Sequence, residues 1–114
     1  MPRINSIEMG ELTDTTYYIL LALLEPKHGY LIMKFIDALT DNQFSIGPAS
    51  LYTVLKKLQM ANLITTWEKE NHVDNKKTYI ITKEGEELLK QEVQRRKSMV
   101  KHAELIFEER GEIL

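Results

Sequence analysis

The chain has 114 residues and a formal net charge of −2 at pH 7, with 43% hydrophobic and 28% charged residues. This composition is typical of one small globular domain with a single core, and it excludes a disordered or fibrous chain. Cysteine is absent, which excludes disulfides, thiolate metal sites and cysteine nucleophiles.

The longest apolar run, Tyr17 to Leu24, has eight residues. A membrane-spanning helix needs about 20, so we expect no membrane partner. The first residues, MPRINSIEMGEL, lack the basic start and continuous apolar stretch of a secretion signal. We therefore expect a cytoplasmic protein.

The charge is distributed unevenly along the chain. Residues 1–43 carry a net charge of −3, residues 44–82 carry +2 and residues 83–114 carry −1. Because phosphate binding needs local positive charge, the middle third is the candidate for contact with nucleic acid.

The segment 12–24 is predicted to form the first helix, with Thr13 or Asp14 as its N-cap and Pro26 beyond its end. Its second half, YYILLALL, is apolar on every side, which predicts more than one buried face. Either another subunit covers one of these faces, or the chain itself covers the whole helix. Tyr17 and Tyr18 of this half either pack there or stack on a ligand.

Residues 29–41 are predicted to form a second helix, because their apolar side chains recur at spacings of three and four. Asp41-Asn42 should end it. We predict a short extended segment at Phe44–Ile46, after which Gly47-Pro48 begins a third helix, since proline is well tolerated in a first helical turn.

Asn62 suits the left-handed position that follows the third helix. The segments 64–70 and 76–82 are rich in β-branched and aromatic residues and flank the turn-forming NHVDN, which predicts a β-hairpin. Thr82 should then cap a last helix of nearly thirty residues. A narrow apolar stripe on that helix predicts a partner helix: Leu89, Val93, Val100, Ala103 and Phe107.

The third helix has two unlike faces. At 100° per residue, Leu51, Leu55, Leu58 and Asn62 fall within about 60° of one another. The opposite arc mixes hydroxyls, an aromatic ring and two cations, and no carboxylate occurs from Ile46 to Trp67. Lysines and hydroxyls suit a helix in the DNA major groove, although an ordinary surface helix also carries polar groups. A helix pair followed by a hairpin is the winged form of the helix-turn-helix.

Three segments resemble, in order, the PadR-like transcriptional regulators, which are bacterial winged-helix proteins: LLALLEPKHGYLIMKFI (20–36), GPASLYTVLKKLQMANLI (47–64) and KKTYIITKEGEELL (76–89). The most specific pieces are His28-Gly29-Tyr30, Ser50-Leu51-Tyr52 and the Tyr79-x-x-Thr82-x-x-Gly85 junction. The similarity covers roughly residues 12 to 90.

The resemblance implies a mainly α fold with a small β-hairpin: an N-terminal arm (1–11), a winged helix-turn-helix (12–82) and a C-terminal dimerisation helix (83–114). It further implies a homodimer that binds double-stranded DNA at a palindromic promoter site, usually as a repressor. An effector of unknown identity would release this dimer from DNA. By position, the recognition helix is Pro48 to Ala61 and the wing is Trp67 to Tyr79.

The residues expected at the two interfaces follow from this resemblance and from the helix faces described above. The expected DNA contacts are Ser50, Tyr52, Thr53, Lys56, Lys57, Lys76 and Lys77. The expected dimer contacts are Tyr17, Leu20, Leu24, Leu89, Val93, Val100 and Phe107.

The chain departs from the family pattern at several positions. Many members have proline where this chain has Thr53 and glycine where it has Asn62. The wing is electrically neutral, since Lys69, Lys76 and Lys77 are balanced by Glu68, Glu70 and Asp74. The neutral wing and acidic total charge leave open an alternative, a winged-helix module for protein interaction that does not bind DNA.

Other chemistry has little support in the sequence. His28, His72 and His102 are scattered without metal-ligand spacing, although His72 at the wing tip could touch DNA. Trp67 either covers the edge of the core or lines a ligand cavity. The run 95–97 either binds an anion or is a solvated face neutralised in part by Glu92. We see no nucleophile–base pair or phosphate loop, so we expect no enzyme, cofactor or metal.

Overall fold

The computed structural model describes residues 12–67 and 77–114. These residues form helices and short strands in the order α1 (Asp14–Ala22), β1 (Lys27–His28), α2 (Gly29–Leu39), α3 (Pro48–Met60), β2 (Ile64–Thr66), β3 (Thr78–Ile81) and α4 (Lys83–Glu109). The mainly α fold with a small sheet and a long last helix is confirmed. The N-terminal arm and the wing tip, which holds Lys76 and His72, lie outside the described residues.

Helix α1 begins where the sequence predicts. Thr13 is the N-cap, and its hydroxyl accepts a hydrogen bond from the Thr16 amide at 3.1 Å. The helix ends at Ala22, two residues before the predicted end. The Lys27 ammonium donates to the Ala22 carbonyl oxygen at 2.7 Å, which satisfies one of the carbonyls that the end of a helix leaves free.

The turn between α2 and α3 is held by two left-handed residues and by the Thr40 side chain. Asp41 and Asn42 both adopt positive φ, at 55° and 61°, which these residue types tolerate better than most. The Thr40 hydroxyl donates to the Ile36 carbonyl and accepts from the Phe44 amide at 3.2 Å. The predicted extended segment at 44–46 is wrong as a strand, because its backbone belongs to this turn and pairs with no strand of the described sheet.

The sheet has three strands in the described residues, in the order β1-β3-β2, all antiparallel. The predicted hairpin is confirmed as β2 and β3, with Ile64 opposite Ile81 and Thr66 opposite Tyr79. Strand β1 was not predicted. Its two residues, Lys27 opposite Tyr79 and His28 opposite Thr78, are too few to show a strand period in the sequence.

The junction between the hairpin and α4 is tight. Asn62 adopts a positive φ of 62°, as predicted. The Thr82 hydroxyl donates to the Asn62 carbonyl at 2.7 Å and accepts from the Gly85 amide at 3.0 Å, so it caps α4 as predicted. A Cβ at position 85 would collide with the Leu63 carbonyl oxygen, which explains why glycine occupies this helical position.

The core lies between α1, α2, α3 and the start of α4. Leu51, Leu55 and Leu58 from the inner face of α3 are at most 1% exposed. They pack in one apolar cluster with side chains from α1 and α2 and from the sheet. Helix α3 is therefore anchored along its inner side. No helix in the described residues is long and apolar enough to cross a membrane.

A buried ionic cluster ties α4 to α1. The Glu92 side chain is fully buried and accepts hydrogen bonds from Arg95 and Arg96, two of them at 2.7 Å. Arg96 also donates to Asp14 at 3.0 Å and to the Leu12 carbonyl at 2.8 Å. The hydrogen bonds from Arg95 and Arg96 lower the pKa of Glu92 to about 2, against the opposing effect of burial. This cluster, and not an open anion site, is what the Arg95-Arg96 pair forms.

Candidate nucleic-acid interface

The outer face of α3 is an exposed polar surface. Five of the seven side chains expected to contact DNA lie on it, and all five are exposed: Ser50, Tyr52, Thr53, Lys56 and Lys57. The leucines on the inner face hold the helix against the core. A rigid helix with a continuous polar outer face has the form that enters a major groove.

The electrostatics of this face suit a polyanion. Helix α3 contains no acidic residue. Among residues 12–67 and 77–114, neither Lys56 nor Lys57 lies within ion-pair distance of a carboxylate. Within the part of the chain that the structure describes, both ammonium groups can therefore meet phosphate or the acceptor atoms of guanine.

Thr53 uses its hydroxyl within the helix. The hydroxyl donates to the Ala49 carbonyl oxygen at 3.0 Å, a back-bond that is common for threonine in helices. The proton is thus engaged, while the oxygen lone pairs and the methyl group remain at the surface. These groups can accept a hydrogen bond or contact a thymine methyl.

Tyr52 is shared between the surface and the fold. A Cβ at Gly29 would overlap the Tyr52 hydroxyl and ring carbons, so the ring lies directly over the first residue of α2. Burial is the main cause that raises the pKa of Tyr79, and the electrostatic effect of the neighbouring Tyr52 raises it further. Tyr52 is 51% exposed, so about half of its surface is covered by the fold, with Gly29 of α2 directly against its ring.

The start of α2 holds two exposed residues, Tyr30 and Lys34, that the sequence patterns did not predict for this surface. Tyr30 is 57% exposed and follows Gly29, which lies against Tyr52 of α3. One turn further, the Lys34 ammonium lies 5.7 Å from the centre of the Tyr30 ring. The position of Gly29 beside α3 depends on a tertiary contact with Tyr52 that helical spacing does not reveal.

The described part of the wing contributes one expected cation. Lys77 is exposed and immediately precedes β3, whereas Lys76 is outside the described residues. Trp67 follows β2, is 37% exposed, and donates its backbone N–H to the Thr78 carbonyl at 2.7 Å. Trp67 thus continues the hairpin pairing at the base of the wing.

The expected dimer contacts divide into buried and exposed side chains. Leu20 and Leu89 are 0% and 3% exposed, and we remove them from the proposed interface because their surface is already covered by the chain's own core. Leu24 and Val100 are exposed, while Tyr17, Val93 and Phe107 are half-buried. The Tyr17 ring lies 4.2 Å from the Arg96 guanidinium and packs edge-on against Tyr18.

The distal half of α4, residues 97–109, carries a wider apolar surface than the sequence stripe predicts. Met99 is 54% exposed, and Val100 and Ile106 are each 58% exposed. With Ala103 and Phe107 they form one face, which we call the distal stripe, at the helical spacings of three and four. Met99 and Ile106 lie on the same side of α4 as Glu92, at spacings of seven residues. The sequence pattern did not predict that Glu92 is buried.

Metal chemistry finds no support in the described residues. Across 12–67 and 77–114, no group of three or more histidine, aspartate or glutamate side chains is arranged to hold an ion. His28 is the N-cap residue of α2, and its side chain makes no capping hydrogen bond there.

Comparison with known proteins agrees with this geometry. A search of curated proteins found no match. Among solved structures, a PadR family transcriptional regulator from Eggerthella lenta is 25% identical, with a TM-score of 0.69 over 88% of this chain and 83% of that one. A transcriptional regulator from Clostridium thermocellum is 23% identical, with a TM-score of 0.67 over 87% of this chain and 95% of that one.

A PadR-like transcription factor from Bacteroides fragilis is also 23% identical, with a TM-score of 0.67 over 81% of this chain and 88% of that one. The family model for PadR-like transcriptional regulators matches residues 19–91, which span α1 to the start of α4. With its winged fold and its exposed, acid-free third helix, the chain belongs to the PadR-like family of transcriptional regulators.

Proposed function

We propose that this chain is a cytoplasmic repressor that binds a palindromic promoter site as a homodimer and leaves it when an effector binds. The observation that carries the proposal is the outer face of α3, where two lysines without a carboxylate partner in the described residues stand beside exposed hydroxyls. In this arrangement the lysines neutralise phosphates and the smaller groups meet base edges.

The distal stripe supports the homodimer. Helix α4 has 27 residues, and side chains on one side of its second half have no cover from the described chain. A second copy related by a twofold axis would cover the stripe with its own. Two recognition helices would then meet half-sites roughly 34 to 36 Å apart, one turn of the duplex.

Effector release would act through the angle between the two subunits. The spacing of the recognition helices sets how well both fit one face of the duplex, so a small rotation at α1 and α4 lowers affinity. Distances between paired spin labels on Glu109 of each subunit should change when an inducer releases DNA. Release at an unchanged distance would contradict this mechanism.

A salt titration tests DNA binding directly. The observed affinity for a duplex should fall linearly on a log–log plot as salt rises, and Lys57→Ala should flatten the slope by about one unit if Lys57 meets phosphate. Lys101→Ala, an exposed lysine on α4, is the matched control and should leave the slope unchanged. If the chain fails to retain any duplex at low salt, the module for protein interaction becomes the better explanation.

Selection of fragments from a random DNA pool tests the symmetry. We expect an enriched palindrome with half-sites one helical turn apart. Enrichment of a single, unrepeated half-site would contradict the homodimer on DNA while leaving the recognition helix in its role. Expression of a reporter under the selected site then separates repression from activation.

A further inference from the structure

A row of four charged side chains runs beside the distal stripe of α4. All four are exposed, and we call them the charged row: Lys97, Lys101, Glu104 and Glu108. At 100° per residue they lie roughly 100° to 160° around the helix from Ala103, on the same side as Val100. The row changes sign halfway, because its two cations precede its two anions along the helix.

The charged row has no ion-pair partner in the part of the chain that the structure describes. None of its members takes part in the ion pairs found among residues 12–67 and 77–114. Its two lysines are four residues apart, as are its two glutamates, and like charges at that spacing destabilise a helix. A neighbouring surface with the opposite order of charges would offset this repulsion.

The distal stripe is symmetric about Ala103. Met99 and Phe107 lie four residues to either side of it, and both belong to the stripe. Val100 and Ile106 lie three residues to either side. Two copies of the helix that cross at Ala103 therefore present their apolar side chains at matching heights, whether the helices run in the same direction or in opposite directions. Apolar contact alone does not choose between these directions.

An antiparallel pair brings opposite charges together along the whole charged row. A twofold axis at Ala103 that reverses the helix direction places the same edge of both helices side by side. Lys97 then lies at the height of the partner's Glu108, within about 1.5 Å along the helix axis. Lys101 lies at the height of the partner's Glu104 by the same measure. Long, flexible side chains can bring these charges within the screening length of roughly 8 Å.

A parallel pair brings like charges together instead. In that direction each charged row faces the opposite edge of the partner helix. Glu108 then lies at the height of the partner's Glu109, and both are acidic. Lys97 lies close in height to the partner's Arg95, and both are basic. Because like charges that face each other disfavour a pairing, the charged row favours the antiparallel direction.

We propose that the distal stripe binds the distal stripe of a second copy in the antiparallel direction, and that the charged row selects this direction. The inference rests on the homodimer of the proposed function and adds its direction and register. Val100 packs on the partner's Phe107. Met99 packs on the partner's Ile106. Because the twofold axis lies at Ala103, the two winged domains lie at opposite ends of the paired helices, which separates the two recognition helices.

Paired spin labels measure the direction on the full chain, without DNA. The chain has no cysteine, so Gln91→Cys places a single label on each copy, at an exposed position twelve residues before Ala103. At a rise of about 1.5 Å per residue, an antiparallel pair separates the two labels by roughly 40 Å. A parallel pair holds them at the interhelical spacing plus the label arms, roughly 10 to 25 Å. A separation in the shorter range would overturn the proposal.

Charge reversal tests the pairing of individual side chains. Lys97→Glu places two acidic groups opposite each other at both ends of the dimer, and Glu108→Lys does the same with two basic groups. Each variant alone should raise the dimer dissociation constant about tenfold, measured by sedimentation equilibrium. An equal mixture of the two variants should form a heterodimer with the parent affinity, because both contacts then join opposite charges.

The matched control is Glu87→Lys, which makes the same change of charge on an exposed residue in the first half of α4 and should leave the dissociation constant unchanged. Circular dichroism verifies that all three variants are as helical as the parent chain. A tighter dimer from either single reversal, or a mixture no tighter than its components, would contradict the antiparallel register.

The outcomes separate this proposal from the proposed function, because the direction and the dissociation constant are measured without DNA. A parallel dimer that binds its operator keeps the proposed function and overturns the antiparallel pairing. An antiparallel dimer that retains no duplex at low salt supports the pairing and overturns the repressor. A chain that stays monomeric overturns the second copy as the occupant of the distal stripe and leaves the stripe to a different partner.

Discussion

The two halves of α4 continue one helical face but meet different surroundings. In the first half, Gly85 touches the hairpin carbonyl, Leu89 enters the core and Glu92 is buried against α1. In the second half, Met99, Val100 and Ile106 are more than half exposed. The buried part of α4 thus ends within the helix, and the described chain leaves the apolar face of the distal half exposed.

The two halves of α4 differ in the interactions that they offer to a neighbouring surface. The proximal half is fixed by close backbone contact and by charge-assisted hydrogen bonds, which require defined partners. The distal half has exposed apolar side chains along one face, the distal stripe, and apolar area favours association without specifying direction. Changes in the proximal half should therefore unfold the domain, while changes in the distal half should separate subunits.

The largest expected effect is that of Gly85→Ala. The new Cβ meets the Leu63 carbonyl oxygen, a backbone atom that cannot rotate away, so we expect the free energy of unfolding to fall by about 3 kcal/mol. Urea denaturation followed by circular dichroism measures it. Gly47→Ala is the control, since a Cβ there meets nothing within 4 Å, and it should cost less than about 1 kcal/mol. Equal losses for both would refute the close contact.

Glu92→Ala should have the next largest effect on stability. It leaves the guanidinium groups of Arg95 and Arg96 next to each other without the carboxylate that bridges them. Arg95 is 38% exposed and partly screened by water, so we expect a loss of about 2 kcal/mol, below that of a fully buried pair. Glu87→Ala, exposed on the same helix, should change the unfolding free energy by less than about 0.5 kcal/mol.

The pH dependence of stability tests the ionic cluster around Glu92 in a second way. The pKa of Glu92 is about 2 in the folded chain, against an ordinary value of 4.5. A carboxyl group with a depressed folded pKa stabilises the fold above its unfolded pKa and ceases to do so as pH falls through its folded value. The stability difference between the parent chain and Glu92→Gln should therefore shrink between pH 4.5 and 2, by at most about 1.4 kcal/mol per pH unit. A constant difference would argue against the charged cluster.

Val100→Asp should have the smallest effect on the fold and a clear effect on assembly. We expect the unfolding free energy of the isolated chain to change by less than about 0.5 kcal/mol, while light scattering shows monomers, because a charge enters the distal stripe. Leu105→Asp is the matched control. Leu105 is also exposed, but it lies about 140° around the helix from Val100, so its variant should stay dimeric. A dimeric Val100→Asp variant would remove the distal stripe from the interface.

Sequence patterns located most of the secondary structure because the signals are local. Thr13 and Thr82 as N-caps, Asn62 in the left-handed region and the paired segments of the hairpin all depend on neighbours a few residues away. Strand β1 was missed for the opposite reason. Its two residues form a strand only because β3, some fifty positions later, supplies the hydrogen-bond partners.

The sequence predicted only part of the candidate nucleic-acid interface. The polar outer face of α3 follows from the period of its leucines. The dual role of Tyr52 does not, because it depends on Gly29 lying under the ring. Likewise, Leu89 and Val100 share a stripe in the sequence, yet one is buried and the other exposed, since the domain ends between them.

By itself, the sequence determined the order of the four helices and the hairpin, the N-caps of α1 and α4 and the two faces of α3, because each depends on residues that are close together along the chain. Only the tertiary structure decided which part of α4 belongs to the core and how Glu92, Arg95 and Arg96 connect α4 to α1. These features arise from residues far apart in the chain, and proximity in space is set by packing and not by periodicity.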